Sequence, residues 1–192
     1  SKFGSMEGAW QASAAELTAA GLDSRTAQNI PSKRPAIDPD AELERLGEAG
    51  VRAVTWHDDG YPSRLKEIYD LPPVLYLRGE LLAEDERSLA VVGTRRATAY
   101  GREVGHRMSF DLAQAGMTVV SGLARGIDAI AHRAAIDAGG RTLAVLGSGL
   151  DVIYPAEHAK LAAEIAENGA LVSEHPLGTR PSSQNFPRRN RI

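Results

Sequence analysis

The fold is decided by residues 117–151, whose sequence is MTVVSGLARGIDAIAHRAAIDAGGRTLAVLGSGLD. Two apolar runs, residues 117–120 and 143–146, flank a stretch with a helical pattern at residues 126–138. Both runs are continuous rather than alternating, which is typical of parallel strands covered on both faces. The order strand, helix, strand at this spacing predicts a right-handed βαβ unit.

The same pattern extends in both directions along the chain. Further apolar runs lie at residues 89–92 and 170–172, and further helical stretches lie at residues 98–115 and 155–168. Residues 87–192 are therefore predicted to form an α/β fold with a doubly wound, mainly parallel sheet.

Residues 50–86 are predicted to extend this core. Residues 51–56 alternate between apolar and polar side chains like a strand, and residues 74–77 form a short apolar strand.

Residues 1–49 are predicted to form a small helical region. Residues 13–21 contain a Ser N-cap with Glu three positions later and a closing Gly, and residues 40–50 form a second capped helix. A break is expected at residues 30–35, which contain two prolines. Residues 1–5 precede the first methionine and are interpreted as a remnant of an expression tag.

The composition excludes several classes of protein. The chain has no cysteine, which excludes disulfides, thiolate metal sites and a cysteine nucleophile, and suits the reducing cytoplasm. The longest stretch without charge, residues 112–124, has 13 residues, whereas a membrane span needs roughly 20. A cytoplasmic protein with no membrane association is expected.

The net charge of −3 is distributed unevenly. Residues 1–86 contain 16 acidic and nine basic residues, whereas residues 87–192 contain nine acidic and 13 basic residues, and all but one of these 13 are arginine. Because guanidinium groups form two-pronged hydrogen bonds with phosphate, the basic half suggests phosphate contact. Compositional bias explains the asymmetry about equally well.

The ends of the predicted strands carry small and hydroxyl residues, and two of them carry arginine. The first is followed by Gly93, Thr94 and Arg95, and the second by a loop that contains Arg125. Because the carboxyl ends of parallel strands meet at one edge of a sheet, these loops predict an anion-binding groove. Tight turns alone would explain the glycines, but not the two arginines at equivalent positions.

Nucleotide and catalytic motifs give little support for an enzyme. No Gly-Lys-Ser/Thr sequence occurs, and Gly147 and Gly149 are not followed by the third glycine of a dinucleotide fingerprint. Asp128 and His132 share a helix face, where a local hydrogen bond is the more frequent outcome than a ligand pair. The predicted strand ends carry too few carboxylates for two-metal chemistry, so a binding protein is predicted.

The last residues, 181–192, contain three arginines, two asparagines and one phenylalanine. This composition suits contact with nucleic acid, with cations for phosphates and a ring for a base. A solvated basic tail is the alternative.

Several motifs occur in a fixed order. They are Gly93-Thr94-Arg95, SGLARGID at residues 121–128, GSGLDVIYP at residues 147–155, Ser173-Glu174 and FPRRNR at residues 186–191. In this order they resemble the DNA processing protein A (DprA, also called Smf) family over about residues 50–192. His158 departs from the pattern, because the family commonly has Asn there.

The resemblance implies a Rossmann-like core preceded by a region similar to a sterile-alpha-motif domain. It implies a single-stranded DNA-binding protein of natural transformation that protects incoming strands, helps to load the RecA recombinase and needs no cofactor or metal. It also implies a homodimer for the full-length protein. Family members continue past the last motif with further strands, so a sheet incomplete at Ile192 is expected.

The family's motifs also assign candidate nucleic-acid-binding residues, and no catalytic ones. Arginines at two strand ends would bind phosphate, backbone and hydroxyl groups of the same loops would assist, and the last motif would line the groove. The candidates are Gly93, Thr94, Arg95, Ser121, Gly122, Arg125, Gly126, Asn185, Phe186, Arg188, Arg189, Asn190 and Arg191.

Two other functions stay open at this point. One is a Rossmann-like nucleotide-processing enzyme of the phosphoribohydrolase type, although its Pro-Gly-Gly-x-Gly-Thr stretch does not occur in the 192 residues. The other is a protein-interaction module that uses the acidic N-terminal region.

Overall fold

The computed structural model describes residues 2–192 and divides into two compact units. One unit ends at Arg45, and the other is Leu46–Ile192. The domain boundaries expected at residues 49 and 86 stay predictions. Within residues 2–192, no helix has the length and apolar character needed to cross a membrane.

The N-terminal unit contains the helices α1 (Met6–Gln11), α2 (Ala14–Ala19) and α3 (Ser24–Lys33). The capping box predicted at the start of α2 is present, because the Glu16 amide donates to the Ser13 hydroxyl at 3.3 Å and the Glu16 carboxylate accepts from the Ser13 amide at 2.8 Å.

The break expected at residues 30–35 is wrong at its start, because α3 continues through Pro31. A proline in the last turn of a helix removes only one backbone hydrogen bond. Packing stabilises the helix, since Ala27 and Ile30 join Leu17 in a small apolar cluster. A 3₁₀ turn follows at Arg34–Ala36, and the next predicted helix is present as α4 (Pro39–Glu48).

The second unit is built on a six-stranded mixed sheet. The strands are β1 (Arg52–Thr55), β2 (Val74–Gly79), β3 (Ser88–Ala90), β4 (Thr118–Ser121), β5 (Thr142–Leu146) and β6 (Gly169–Ser173). Their order across the sheet is β1-β2-β6-β5-β4-β3. All six strands lie within the apolar or alternating segments predicted for them or overlap those segments.

The pairing of the strands confirms an α/β fold with a parallel core. The neighbours from β3 to β6 pair in parallel, with Val120 opposite Leu143 and Leu146 opposite Ser173. The two earlier strands add an antiparallel extension, in which Tyr76 of β2 is opposite Ser173. Parallel pairing requires a crossover between successive strands, and helices supply it.

Three helices connect the parallel strands, and they match the predicted helical stretches. They are α5 (Ala99–Gln114), α6 (Ile127–Asp137) and α7 (Ala159–Asn168), the last preceded by a 3₁₀ turn at Ala156–His158. A five-residue helix, α8 (Asn185–Arg189), lies near the end of the chain.

Alternate residues of the central strands face opposite sides of the sheet. Ala144 and Leu146 pack in one apolar cluster with Leu161 and Ile165 of α7. Leu143 and Val145 pack in a second cluster, together with Tyr61 and Leu65 from the segment between the first two strands. This two-sided burial explains why the sequence of β5 is continuously apolar.

Candidate nucleic-acid interface

A cleft of about 450 Å³ lies at the carboxyl ends of β3, β4 and β5. Its walls come from the loops after the strands and from the last residues of the chain. Of the predicted site residues, seven line this cleft: Gly93, Arg95, Ser121, Gly122, Arg189, Asn190 and Arg191. The structure therefore brings two distant parts of the predicted site together.

The loops after β3 and β4 are packed directly against each other at Gly126. This residue has φ +77° and ψ −126°, a conformation that favours glycine, and a Cβ there would clash with the carbonyl oxygen of Thr94. The same carbonyl accepts a hydrogen bond from the Ile127 amide at 3.2 Å. Thr94 and Gly126 thus hold the first turn of α6 against the β3 loop.

The polar groups at the end of β4 already have partners within the protein. The Ser121 hydroxyl donates to the carbonyl of Val91 at 2.6 Å. The amides of Gly122 and Ala124 donate to Asp128 Oδ2 at 3.2 and 3.4 Å. A phosphate bound by these amides would have to displace the Asp128 carboxylate, and the role predicted for Ser121 and Gly122 stays a prediction.

Arg189 inserts into the edge of the sheet from the short helix α8. Its Nη1 donates to the carbonyls of Gly122, at 3.0 Å, and of Val145, while its Nε donates to Asn190 Oδ1 at 3.1 Å. Burial lowers the pKa of this guanidinium. Within residues 2–192 it forms no salt bridge, so its charge is balanced by carbonyl dipoles and not by a bonded carboxylate.

Arg95 and Phe186 form a cation–π pair beside the cleft. The Arg95 guanidinium lies 5.7 Å from the centroid of the Phe186 ring. The ring also lies 5.8 Å from that of Tyr154 and packs against Gly147, where a Cβ would be only 3.0 Å from the ring. This exposed cation beside two aromatic rings is the part of the site best suited to contact both a phosphate and a base.

Arg125 lies outside the cleft, although the sequence places it at a position equivalent to that of Arg95. Its guanidinium forms a two-pronged ion pair with Glu157, with Nε–Oε1 at 2.6 Å and Nη2–Oε2 at 2.9 Å. This pair raises the pKa of Arg125 and lowers that of Glu157. The two arginines therefore do not share one cleft in this conformation.

The remaining predicted residues divide into structural and exposed ones. Arg191 Nη1 donates to Glu174 Oε1 at 3.0 Å and its Nε donates to the Asp70 carbonyl at 2.6 Å, so this arginine ties the end of the chain to the core. Asn185 donates from its side-chain amide to the Gly147 carbonyl at 3.0 Å. Arg188 is exposed.

Asp128 and His132 do not interact as the sequence suggested. The Asp128 carboxylate accepts from the backbone of the β4 loop, whereas His132 Nδ1 lies 2.7 Å from the Thr142 hydroxyl. That hydroxyl donates to the Val119 carbonyl, so His132 Nδ1 is the donor to Thr142. Burial lowers the pKa of His132 to about 3, and no cluster able to hold a metal ion occurs in the described part of the chain.

Sequence reasoning did not identify the acidic partners of the site. Asp128 accepts a hydrogen bond from the backbone of the β4 loop. Glu157 forms an ion pair with Arg125, and Glu174 forms one with Arg191. A single sequence carries no spacing signal for the last two, because 32 residues separate Glu157 from Arg125 and 17 separate Glu174 from Arg191.

The fold and the cleft define a Rossmann-like protein with an arginine-lined site at the carboxyl edge of its sheet. Residues 52–192 match the family model described as DNA recombination-mediator protein A, and the chain belongs to this family. The resemblance seen in the sequence is thereby confirmed.

Curated relatives include Protein Smf of Escherichia coli (strain K12), which is 44% identical over 92% of this chain and 47% of its own length. DNA processing protein DprA of Bacillus subtilis (strain 168) is 39% identical over 92% of this chain and 58% of its own length. The chain spans about half the length of the curated relatives that it matches.

Two solved structures share the fold. DNA processing protein A from Streptococcus pneumoniae has a TM-score of 0.79 and 34% identity, over 93% of this chain and 61% of its own. The protein of the same name from Helicobacter pylori, described for its unique single-stranded DNA binding mode, has a TM-score of 0.64 and 31% identity, over 72% of this chain and 63% of its own. The Rossmann-like class predicted from the sequence is confirmed.

Proposed function

We propose that this chain binds single-stranded DNA through the cleft and the aromatic residues beside it. The observation that carries the proposal is the grouping of Arg95, Arg189 and Phe186 at the carboxyl ends of the parallel strands. Neither arginine forms a salt bridge within residues 2–192, so neither has to give up an anionic partner when a phosphate binds. The single-stranded DNA described for the Helicobacter pylori relative supports this choice of ligand.

The chemistry of these residues favours a strand with accessible bases. Arg95 and Arg189 supply charge for phosphates, and Phe186 supplies a ring on which a base can stack. Every base has a π-face, and phosphates are the same at every position, so binding is expected to tolerate different sequences and to weaken with salt.

The biological role that we propose is DNA processing in natural transformation and recombination. The protein would protect incoming single strands and help to load the RecA recombinase, acting in the cytoplasm as a homodimer in its full-length form. Membership of the family described as DNA recombination-mediator protein A supports this role.

We also propose that the chain acts as a binding protein and not as an enzyme. The carboxylates that end or follow the parallel strands are engaged in structural contacts. Asp151 accepts from the Gly178 amide at 2.8 Å, and Glu174 pairs with Arg191. Protein-dependent cleavage of DNA in the presence of Mg²⁺ or Mn²⁺, lost in an Asp151→Asn or Glu174→Gln variant, would contradict this proposal.

The function is tested by fluorescence anisotropy with a labelled single-stranded oligonucleotide, titrated at several salt concentrations. Duplex DNA and mononucleotides serve as unlabelled competitors. We expect binding with a logarithmic salt slope of about −0.7 for each phosphate contacted. Mononucleotides that compete as well as the oligonucleotide at equal phosphate concentration would favour a nucleotide-processing role instead.

A further inference from the structure

Arg125 differs from Arg95 and Arg189 because it already has an anionic partner. The side chains of Arg125 and Glu157 are each 55% exposed, and their charged groups form two parallel hydrogen bonds. Arg95 instead lies over the Phe186 ring, and Arg189 donates to backbone carbonyls.

The turn that carries Glu157 is bonded to the loop that carries Arg125. The carboxylate belongs to the 3₁₀ turn Ala156–His158, and the Nδ1 of His158 donates to the carbonyl of Leu123 at 2.8 Å. Leu123 is fully buried, with φ +57°, in the same loop as Arg125. The turn is therefore attached to the loop, and this attachment holds Glu157 opposite Arg125.

A phosphate and a carboxylate compete for the same face of a guanidinium group. Both present two oxygens to the planar fork of N–H donors, and the Glu157 pair already uses the Nε and Nη2 of Arg125. A phosphate that approaches this fork must displace Glu157, and it meets repulsion from that carboxylate as it does so.

We propose that Glu157 is a built-in competitor of the DNA phosphate at Arg125 and sets the affinity of that contact. This inference rests on the proposed binding of single-stranded DNA and on the phosphate contact that the family's motifs assign to Arg125. In the free protein Arg125 is neutralised by Glu157, and in the complex it is neutralised by the phosphate. Glu157 is then left unpaired and attracts a cation from solution, which reduces the net release of ions on binding.

The test compares Glu157→Gln with Glu164→Gln by anisotropy at fixed salt. The control removes the same charge from a similar ion pair, Arg133–Glu164, which joins α6 to α7 and includes no candidate site residue. We expect Glu157→Gln to tighten binding of a single-stranded oligonucleotide about two- to fivefold, the range for losing a competing exposed ion pair. The control measures the general effect of the lost charge, which should be smaller.

The salt dependence gives a second readout. Without Glu157 no cation is taken up in the complex, so the logarithmic salt slope should become steeper than that of the wild type. The slope of the Glu164→Gln control should match that of the wild type. Thermal unfolding of each variant checks that the fold is retained.

A double variant tests whether the effect passes through Arg125. In an Arg125→Ala background, Glu157→Gln should change the affinity no more than Glu164→Gln does. An equal gain from both glutamine variants, or a gain that persists without Arg125, would overturn the inference. Wild-type protein that does not bind the oligonucleotide at low salt would overturn the proposed function and this inference together, whereas wild-type binding with unchanged affinity in Glu157→Gln overturns only the inference.

Discussion

Replacing Arg95 by alanine should weaken the binding of single-stranded DNA without unfolding the protein. Arg95 is exposed, lines the cleft and lies 5.7 Å from the centroid of the Phe186 ring. A hydrogen bond between charged groups contributes about 1.5–3 kcal/mol. Because Arg95 is exposed, we take the lower end, about 1.5 kcal/mol, which corresponds to a roughly tenfold increase in Kd.

The neighbouring Arg96 offers a matched control. It is also exposed and carries the same charge, but it does not line the cleft. Arg96→Ala should therefore raise the Kd by less than about threefold, the share expected from long-range attraction alone. Arg95→Ala should also reduce the logarithmic salt slope by about 0.7, since one phosphate contact is lost.

The stability of the Arg95→Ala variant should change little. An exposed cation–π pair contributes about 0.5–1 kcal/mol, so Tm should fall by only about 1–4 °C. Anisotropy titrations of wild type, Arg95→Ala and Arg96→Ala at one salt concentration test the reasoning. Equal losses in both variants would refute a specific contact at Arg95 and leave only general electrostatic attraction.

Two further predictions concern the stability of the second unit. Gly126→Ala should lower the free energy of unfolding by about 2–4 kcal/mol in urea titrations, because it combines backbone strain with a clash against Thr94. Gly116 also has a positive φ, +74°, but there is open space where its Cβ would lie, so Gly116→Ala should lower the free energy of unfolding by only about 1 kcal/mol. Equal losses in the two variants would contradict the proposed clash. Burial raises the pKa of the Asp85 carboxyl group. Hydrogen bonds from Arg141, from the Leu82 amide and from the Thr118 hydroxyl outweigh this effect and lower the pKa overall. The stabilisation from Asp85 is therefore present above its unfolded pKa of about 3.9 and is lost as the pH falls through the lower folded value. In urea titrations, Asp85→Asn should lower the free energy of unfolding by about 2 kcal/mol at pH 7 and by progressively less in acid.

Local sequence predicted the strands and the three crossover helices of the second unit. The continuous apolar runs predicted the parallel strands, because a strand buried on both faces needs apolar residues at every position. The expected two-sided burial is wrong for β3, which lies at the edge of the sheet and leaves Leu89 44% exposed. The capping box at Ser13 was also predictable, since its partner Glu16 is three residues away. The end of α3 was not predicted, because Pro31 lies in its last turn, where a proline removes only one backbone hydrogen bond, and Ile30 beside it packs against the cluster of Ala27.

The sequence likewise determined which loops meet at the edge of the sheet. Parallel strands bring their carboxyl ends together, so Arg95 and the loop of Arg125 were expected there. Only the tertiary structure decided where the side chains point. Arg125 turns to Glu157, 32 residues away, and Arg189 inserts beside Gly122, 67 residues away. Such pairings depend on how loops and turns pack against the finished sheet. No periodicity along the chain encodes them, because periodicity reports only which side of a strand or helix is buried.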